Sequence, residues 1–496
     1  MPTREVLSGL RRGIEKESLR VRPDGTLATT PHPARLGSAL THPFVTTDFS
    51  ESQAELITGV HTGAQACLDE LTEIHQIVYR AIGDELLWAA SMPCRLPADD
   101  QIPLGRYGTS NIGRAKTVYR MGLSHRYGRR MQTISGIHYN FSLPDKRSNA
   151  DYFGLIRNFR RNAWLLLYLF GASPAVCSTF VAGRAHELQR LSDDTLYLSY
   201  ATSLRMGRLG YQSDAQASLA VSYNSLKSYA ASLEEALTRP YPAYETIGIR
   251  DGDEYRQLAT TLLQIENEFY GTIRPKRVIS PGERPLHALR DRGVEYVEVR
   301  LMDLDPFCPI GIGASTVRML DVFLLHCVLS ESPPDTPQEL VAIGRNKQRV
   351  ASHGREPGLA LTRGADQLTL VDWGDEILAE CAPIAAAVDA AVGGSAHREA
   401  VAAAVRALHD PASTLSARVL QAMARDHGNS YVHFVLAQSR AHRETILKLP
   451  LADDVAARYA RLAEESLVEQ RRIEASETIP FEAYRQLYLA PLRLNE

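Results

Sequence analysis

The fold is decided by the stretch from Gly13 to Val21, which reads GIEKESLRV. It predicts a β-strand, and because side chains of a strand alternate between two faces, Glu15, Glu17 and Leu19 share one face. Two carboxylates standing side by side repel each other unless water or a cation lies between them. The pair therefore indicates either a solvated sheet edge or a site for Mg²⁺, a hard ion that prefers oxygen ligands.

A second acidic cluster follows at residues 46–58, TTDFSESQAELIT. Ser50 with Gln53 is typical of a helix capping box, which would place Glu51 and Glu55 on one helical face. The ending Leu-Ile-Thr favours a strand that carries Glu55 instead. The sequence leaves both interpretations open.

Two further segments alternate polar and apolar residues. In GIHYNFSL, residues 136–143, His138 shares a face with the polar side chains two and four residues on. In EYVEVR, residues 295–300, Glu298 and Arg300 share the polar face. His138 is either a hydrogen-bonded core histidine or a metal ligand. Glu298 with Arg300 is either a structural salt bridge or a metal ligand beside a phosphoryl-binding arginine.

The usual phosphate-binding loops are missing. There is no GxxxxGK[ST] motif, and Gly311-Ile312-Gly313 lacks the third glycine of a dinucleotide fingerprint. If a nucleotide binds, metal ions on carboxylates and nearby arginines must hold its phosphates.

Composition narrows the class of protein. The chain has 496 residues, 44% of them hydrophobic and 23% charged, which is typical of a globular protein with more than one core. The formal net charge of -3 gives no positive electrostatic field that would attract nucleic acid or anionic lipid. The six cysteines form no CxxC pair, the N-terminus lacks a secretory h-region, and the ten-residue apolar run 163–172 predicts a buried helix. We expect a cytosolic protein that does not bind membranes.

The pattern changes along the chain. The first 310 residues mix helical and strand patterns, whereas the sequence beyond residue 311 predicts almost only helix. We therefore expect an α+β fold, with a catalytic core over residues 1–350 and a helical C-terminal part over residues 351–496 that packs on it.

Taken together, the motifs closely resemble the glutamate-cysteine ligases (gamma-glutamylcysteine synthetases) of the gamma-proteobacterial type. The resemblance runs in order through segments that include RRGIEKESLRV, THPFVTTDFSESQAELIT, YGTSNIGRAKTVYRMGL, ISGIHYNFSLP, YATSLRMGRLGYQS, LQIENEFYGTIRPKRV and GVEYVEVRLMDLDPF. They follow one another in order from residue 11 to residue 307. The resemblance implies a fold like that of glutamine synthetase, in which a curved antiparallel sheet forms a funnel surrounded by helices.

The resemblance also assigns roles to individual residues. The metal ligands of the family match Glu15, Glu17, Asp48, Glu55, His138 and Glu298. Its substrate-binding residues match Tyr119, Arg120, Gln132, Arg205, Tyr211 and Tyr270, where the tyrosines wall the cysteine pocket and the arginines bind substrate carboxylate. Arg300 matches the catalytic arginine that contacts the transferred phosphoryl group.

The implied reaction joins the γ-carboxyl of L-glutamate to the amino group of L-cysteine through γ-glutamyl phosphate, the first step of glutathione biosynthesis. It requires ATP and Mg²⁺, with Mn²⁺ as a substitute. We expect a monomer that is open to feedback inhibition by glutathione. The alternatives are a ligase of the same fold with another amine acceptor, such as ammonia, and a nucleotide-binding regulatory homologue without turnover.

Overall fold

The structure is a computed structural model that describes residues 2–145, 147–210, 214–217, 219–280 and 282–490. The strands are β1 (Arg11–Val21), β2 (Val45–Thr47), β3 (Gln53–Ile57), β4 (Leu86–Leu87), β5 (Ile137–Ser142), β6 (Ala175–Cys177), β7 (Gln189–Arg190), β8 (Thr195–Tyr197), β9 (Arg250–Asp251), β10 (Glu254–Tyr255), β11 (Ile273–Lys276), β12 (Tyr296–Met302), β13 (Ala360–Arg363) and β14 (Asp366–Thr369).

The helices are α1 (Arg4–Ser8), α2 (Ala64–Ala81), α3 (Asn111–Tyr127), α4 (Arg129–Gln132), α5 (Asn149–Phe170), α6 (Asp214–Ala217), α7 (Leu226–Thr238), α8 (Pro242–Ile247), α9 (Pro285–Arg292), α10 (Ala314–Leu329), α11 (Pro337–His353), α12 (Leu370–Val392), α13 (Ala396–His409), α14 (Leu415–Asp426), α15 (Tyr431–Lys448), α16 (Asp453–Ala475) and α17 (Phe481–Leu489). Short 3₁₀ turns lie at 34–36, 99–101, 178–181, 266–268 and 411–413.

The central element is an antiparallel sheet in the order β11-β12-β5-β1-β3-β2, with β4 pairing the far end of β1. The strand predicted from Gly13 to Val21 is therefore confirmed, and it lies inside the sheet. This position excludes the solvated edge as an account of its two glutamates. A register shift between Val299 and Met302 bends β12 locally. The α+β class is confirmed.

The two open alternatives for residues 46–58 are resolved in favour of strands. β2 and β3 form a hairpin in which Thr46 faces Glu55, and the capping-box helix is wrong. Ser50 donates its hydroxyl to the Pro103 carbonyl, so it closes a loop between the strands instead of capping a helix.

One face of the sheet is apolar and buried by helices. Ile14, Tyr139, Val297 and Val299 are fully buried in the main core, against which α2, α5 and α10 pack. α5 begins at a capping box between Ser148 and Asp151 and contains most of the apolar run 163–172, which confirms the buried helix. No helix in the described part of the chain is both long and apolar enough to cross a membrane.

The region beyond residue 311 is mostly helical, as predicted, and the one hairpin described there, formed by β13 and β14, was not predicted. Gly364 has φ +63° in the connecting turn, which a two-residue hairpin loop requires. The main core contains Ile14 and Leu56 from the sheet together with Trp373 and Leu408 from the C-terminal helices. The boundary at residue 350 stays a prediction.

Candidate active site

The other face of the sheet is polar, and strand register places its charged side chains in rows. Glu17 of β1 lies opposite Glu55 of β3. Glu15 lies opposite His138 of β5. Glu298 of β12 is paired with Asn140 on one side and with Arg274 on the other. Since directly opposed residues share a face, these side chains all project to one side of the sheet.

His138 lies at the centre of this polar face. Its Nδ1 is 3.2 Å from a Glu15 carboxylate oxygen, and its Nε2 is 3.5 Å from a Glu17 oxygen. One ligand atom each from Glu15, His138 and Glu298 lies within 4.8 Å of the others, a spacing that a single cation can bridge. The ring has polar partners on both sides, so it belongs to the site and not to the apolar core.

A second group of carboxylates lies beside the first. Burial raises the pKa of Glu17 to about 6, and the Asp48 carboxylate adds to the rise. Burial and then repulsion from its acidic neighbours, Asp48 first, raise the pKa of Glu55 well above its usual value. Carboxylates packed this closely resist ionisation unless a cation neutralises them. This group of carboxylates therefore favours the binding of a cation.

The donor set fits a hard divalent cation. Five carboxylates and one imidazole converge, and a set made mainly of carboxylate oxygens suits Mg²⁺ or Mn²⁺. The side-chain oxygen of Asn140 is buried without a hydrogen-bond partner among the described residues, although its Nδ2 donates to Glu15 at 2.8 Å. A buried acceptor in that state costs free energy unless something else binds it. Asn140 therefore adds a free oxygen beside Glu15.

Basic side chains line the same face. Arg300 donates from Nη1 to Glu298 at 2.9 Å and lies 3.4 Å from His138. Lys276 is 3.1 Å from the other Glu298 oxygen. Burial alone would raise the pKa of Glu298, but these two cations outweigh it and hold the pKa well below the usual range. Glu298 is therefore held as an anion, and its salt bridge to Arg300 lies on the polar face.

The predicted acceptor pocket lies at the edge of this face, where α3, α4 and the segment before β11 meet. Gln132 donates to the Tyr270 hydroxyl at 2.5 Å. Arg120 donates to the Asp48 carbonyl and stacks on the Tyr107 ring at 4.5 Å. Burial, and then the neighbouring Glu268 carboxylate and Tyr270 hydroxyl, raise the pKa of Tyr119 well above its usual value. Tyr211 lies outside the described residues.

Arg205 is placed differently from the other predicted substrate residues. Its side chain is only 1% exposed, lies 3.7 Å from Asp303, and donates to the Arg300 carbonyl at 2.9 Å. Gly136 allows this approach, because a Cβ there would lie 2.1 Å from Arg205 Nη2. Arg205 thus supports the backbone of Arg300, and its contact with substrate stays a prediction.

Sequence reasoning gave no individual site role to four residues that the structure brings into or next to the site. They are Asn140, Arg274, Lys276 and Asp303. A signal existed for the first three, because Asn140 alternates with His138 and because Arg274 and Lys276 are two residues apart on one strand. No local pattern distinguishes Asp303, whose role depends on contacts with Arg205 and Ser203 that are distant in sequence.

Known proteins resemble this chain over nearly its whole length. The family described as Glutamate-cysteine ligase matches residues 1–350. The glutamate-cysteine ligase of Alcanivorax borkumensis is 47% identical, covering 97% of this chain and 95% of its own. That of Pseudomonas paraeruginosa is 49% identical, covering 97% and 94%.

Two solved structures share the fold. The glutamate-cysteine ligase of Francisella tularensis in complex with AMP superposes with a TM-score of 0.92 at 36% identity, covering 97% of both chains. A bifunctional glutathione synthetase from Pasteurella multocida gives a TM-score of 0.73 at 25% identity, covering 93% of this chain and 57% of that one. By its sequence, its sheet and these relatives, the chain belongs to the glutamate-cysteine ligase family.

Proposed function

We propose that this chain uses ATP to join the γ-carboxyl of L-glutamate to the amino group of L-cysteine on the polar face of the sheet, giving γ-glutamylcysteine for glutathione biosynthesis. Membership of the ligase family supports this reaction. The structural observation that carries the proposal is the convergence of Glu15, His138 and Glu298 beside Arg300. Phosphoryl transfer without a phosphate-binding loop needs carboxylates that bind metal ions and an arginine that binds the phosphate oxygens.

The substrates dictate the order of events. The γ-carboxylate of glutamate is a poor electrophile. One of its oxygens therefore first attacks the terminal phosphorus of ATP, and ADP leaves. The product is an acyl phosphate, γ-glutamyl phosphate, whose phosphate is a good leaving group. The neutral cysteine amine then attacks the acyl carbon, the C–O bond breaks with its electron pair leaving on phosphate, and the nitrogen gives up one proton as the amide forms.

Two groups of side chains would hold the cations. Glu15, His138 and Glu298 form the first, and Glu17, Asp48 and Glu55 form the second. A bound Mg²⁺ or Mn²⁺ would neutralise the phosphate oxygens and draw electron density from phosphorus. Arg300 keeps Nε and Nη2 free of hydrogen bonds to the described residues, so both can donate to a phosphoryl group.

A pocket of about 470 Å³ supports nucleotide binding next to Glu15. It lies at the ends of β1, β5 and β12, and its wall includes Arg11, Arg147 and Arg277. Val60 and Val278 line it with side chains 75% and 65% exposed, an unusual exposure for valine that a flat base would cover. The AMP of the Francisella tularensis relative accords with a nucleotide in this family.

The remaining features belong to the same proposal. The sheet is the wall of a funnel, residues 1–350 form the catalytic core, and residues 351–496 support it. Tyr119, Gln132 and Tyr270 surround the cysteine side chain, and Arg120 binds substrate carboxylate. The chain acts as a cytosolic monomer, and glutathione, the tripeptide at the end of this biosynthesis, inhibits it by feedback.

The test is phosphate release by the whole chain with glutamate, Mg-ATP and a panel of amines, with the product identified by mass. Cysteine is expected to give the highest kcat/KM, L-2-aminobutyrate a lower value, and ammonia a small fraction of it. Removal of Mg²⁺ with EDTA should abolish turnover. A higher kcat/KM for ammonia or for a bulky amino acid would refute the assignment of the acceptor pocket.

A further inference from the structure

A buried polar network lies directly behind the tyrosine wall of the acceptor pocket. Its centre is Glu268, whose side chain is completely buried. One carboxylate oxygen accepts from Arg126 at 2.8 Å and from the Tyr127 hydroxyl at 2.7 Å. The other accepts from the backbone N–H of Gln264 at 2.7 Å. A buried carboxylate with this many donors fixes the position of each of them.

Gln216 of α6 joins this network to the pocket. Its Nε2 donates to the Glu268 carbonyl at 2.8 Å and to the Tyr127 hydroxyl at 3.1 Å. Its Oε1 accepts from the backbone N–H of Tyr270 at 3.1 Å. The side-chain amide of Gln216 therefore binds two backbone groups of the segment 268–270 and links this segment to the C-terminal end of α3.

The ring of Tyr270 is fixed by this arrangement. Tyr127 contacts it edge-on with centroids 5.7 Å apart, and Gln132 donates to its hydroxyl at 2.5 Å. On the other side of the network, Gln264 donates to the Tyr119 carbonyl at 3.3 Å. Backbone groups of both described tyrosines of the pocket are thus held by this network, the Tyr270 N–H by Gln216 and the Tyr119 carbonyl by Gln264.

We propose that Gln216 is a positioning residue that sets the affinity for the amine acceptor by holding Tyr270 and Tyr127 in register. The inference rests on the proposed function, since it takes Tyr270 as a wall of the cysteine pocket. Gln216 contacts neither the carboxylate groups nor Arg300 through any of the three hydrogen bonds described. Its effect should therefore appear in acceptor binding and not in nucleotide binding or phosphoryl transfer.

The test is steady-state kinetics of Gln216→Met, which keeps the length of the side chain and removes its hydrogen bonds. Lost hydrogen bonds of this kind weaken binding by roughly tenfold in total. We expect the KM for cysteine and for L-2-aminobutyrate to rise by about that factor, while the KM for ATP changes less than about twofold. Gln76→Met is the matched control, because Gln76 is also buried and, among the described residues, its side chain donates to the carbonyls of Leu449 and Pro450 in the helical part.

Tyr127→Phe gives a second, milder variant that keeps the ring against Tyr270 and removes the shared hydroxyl. Its acceptor KM should rise several-fold, and the double variant should rise by less than the product of the two single effects, since both act through one contact. An unchanged acceptor KM in Gln216→Met, or an equal rise in all three substrate KM values, would overturn the positioning role. Failure of the wild type to use cysteine would instead refute the proposed function.

Discussion

Arg300 makes a structural ion pair and is also the residue proposed to contact the transferred phosphoryl group. Nη1 is engaged by Glu298, while the rest of the planar guanidinium faces the polar cavity of the sheet with the side chain 25% exposed. The backbone beneath it is fixed from both directions, by its N–H to the Thr272 carbonyl and by Arg205 at its own carbonyl. A guanidinium held in this position, with two donors free of hydrogen bonds to the described residues, can bind two phosphoryl oxygens at once.

We expect Arg300→Lys to lose roughly a hundredfold or more in kcat, because lysine keeps the charge but not the bidentate geometry. An interaction formed mainly in the transition state lowers kcat and kcat/KM together. Kinetics with ATP varied, alongside a melting curve, measure both consequences. A variant that melts early yet retains its kcat would make Arg300 only a structural partner of Glu298.

Because Glu17 is buried, the free energy of unfolding should depend on pH. A bound cation should suppress this dependence. The pKa of Glu17 is raised from 4.5 to about 6 by burial, so the protonated form favours the folded state, and this contribution is complete below about pH 4.5 and lost as the pH rises through 6. The difference corresponds to roughly 2 kcal/mol. In EDTA, Glu17→Gln should therefore gain stability relative to wild type between pH 5 and 7, as followed by Tm.

Saturating Mg²⁺ provides the control for this pH effect, because a bound cation favours the charged carboxylate. Wild-type Tm at pH 7 should rise on addition of Mg²⁺ more than that of Glu17→Gln, with Na⁺ at equal ionic strength having little effect. Equal responses of the two proteins would remove Glu17 from the set of metal ligands.

The strands on which the site depends were accessible to sequence reasoning to different degrees. The alternation in GIHYNFSL sufficed to predict β5, because period two over six or more residues has few other causes. β1 was also predicted correctly, although residues 15–18 of GIEKESLRV are all polar and do not alternate. Residues 46–58 carried a capping-box pattern and a strand ending together, and only pairing of Glu55 with Glu17 resolves them. Such register is a long-range contact that no local window contains.

Burial was the other quantity that local sequence could not supply. The hairpin of β13 and β14 was missed because two four-residue strands within a helical region leave little periodic signal. Arg205 was assigned to substrate through resemblance, whereas its near-complete burial follows from Gly136 and Asp303, which approach it from distant parts of the chain. Residue types could be predicted, but the depth of each residue could not.

α3 depends on one glycine in its first turn. A Cβ at Gly113 would lie 2.3 Å from the Tyr107 carbonyl oxygen, which is backbone and cannot move aside cheaply. The Tyr107 hydroxyl in turn lies 2.7 Å and 2.8 Å from the carbonyls of Thr47 and Asp48. A shift of the first turn of α3 is therefore transmitted to the carboxylate groups.

Gly113→Ala should lower stability by roughly 1–3 kcal/mol through this overlap and raise the acceptor KM, because α3 carries Tyr119 and Arg120. Gly344→Ala in α11 is the matched control, since no atom lies within 4 Å of its added Cβ and the helix should gain about 1 kcal/mol. Urea unfolding of the two variants decides the matter. If both variants gained stability, Tyr107 would not constrain α3.

At the scale of the whole molecule, the C-terminal helices brace the elements that carry the site. Ser466 of α16 accepts from the N–H of Ser38, and its carbonyl accepts from Thr41, just before β2. Glu474 accepts from the N–H of Thr109 at 2.8 Å, immediately before α3. One C-terminal helix therefore contacts both chain segments that lead to Asp48 and Tyr119.

Glu477, just beyond α16, completes this brace at the N-terminus of α3. Its carboxylate accepts from the N–H of Asn111 at 2.8 Å and from the Asn111 side chain. The first N–H groups of a helix have no partner inside the helix, and negative charge is favourable there.

We expect Glu477→Ala to speed amide exchange at Asn111 and raise the acceptor KM several-fold, with the KM for ATP nearly unchanged. Glu464→Ala, at an exposed glutamate of α16 without an ion pair among the described residues, should do neither. If Glu477→Ala left both exchange and acceptor KM at their wild-type values, the C-terminal helices would cover the core without positioning the acceptor pocket.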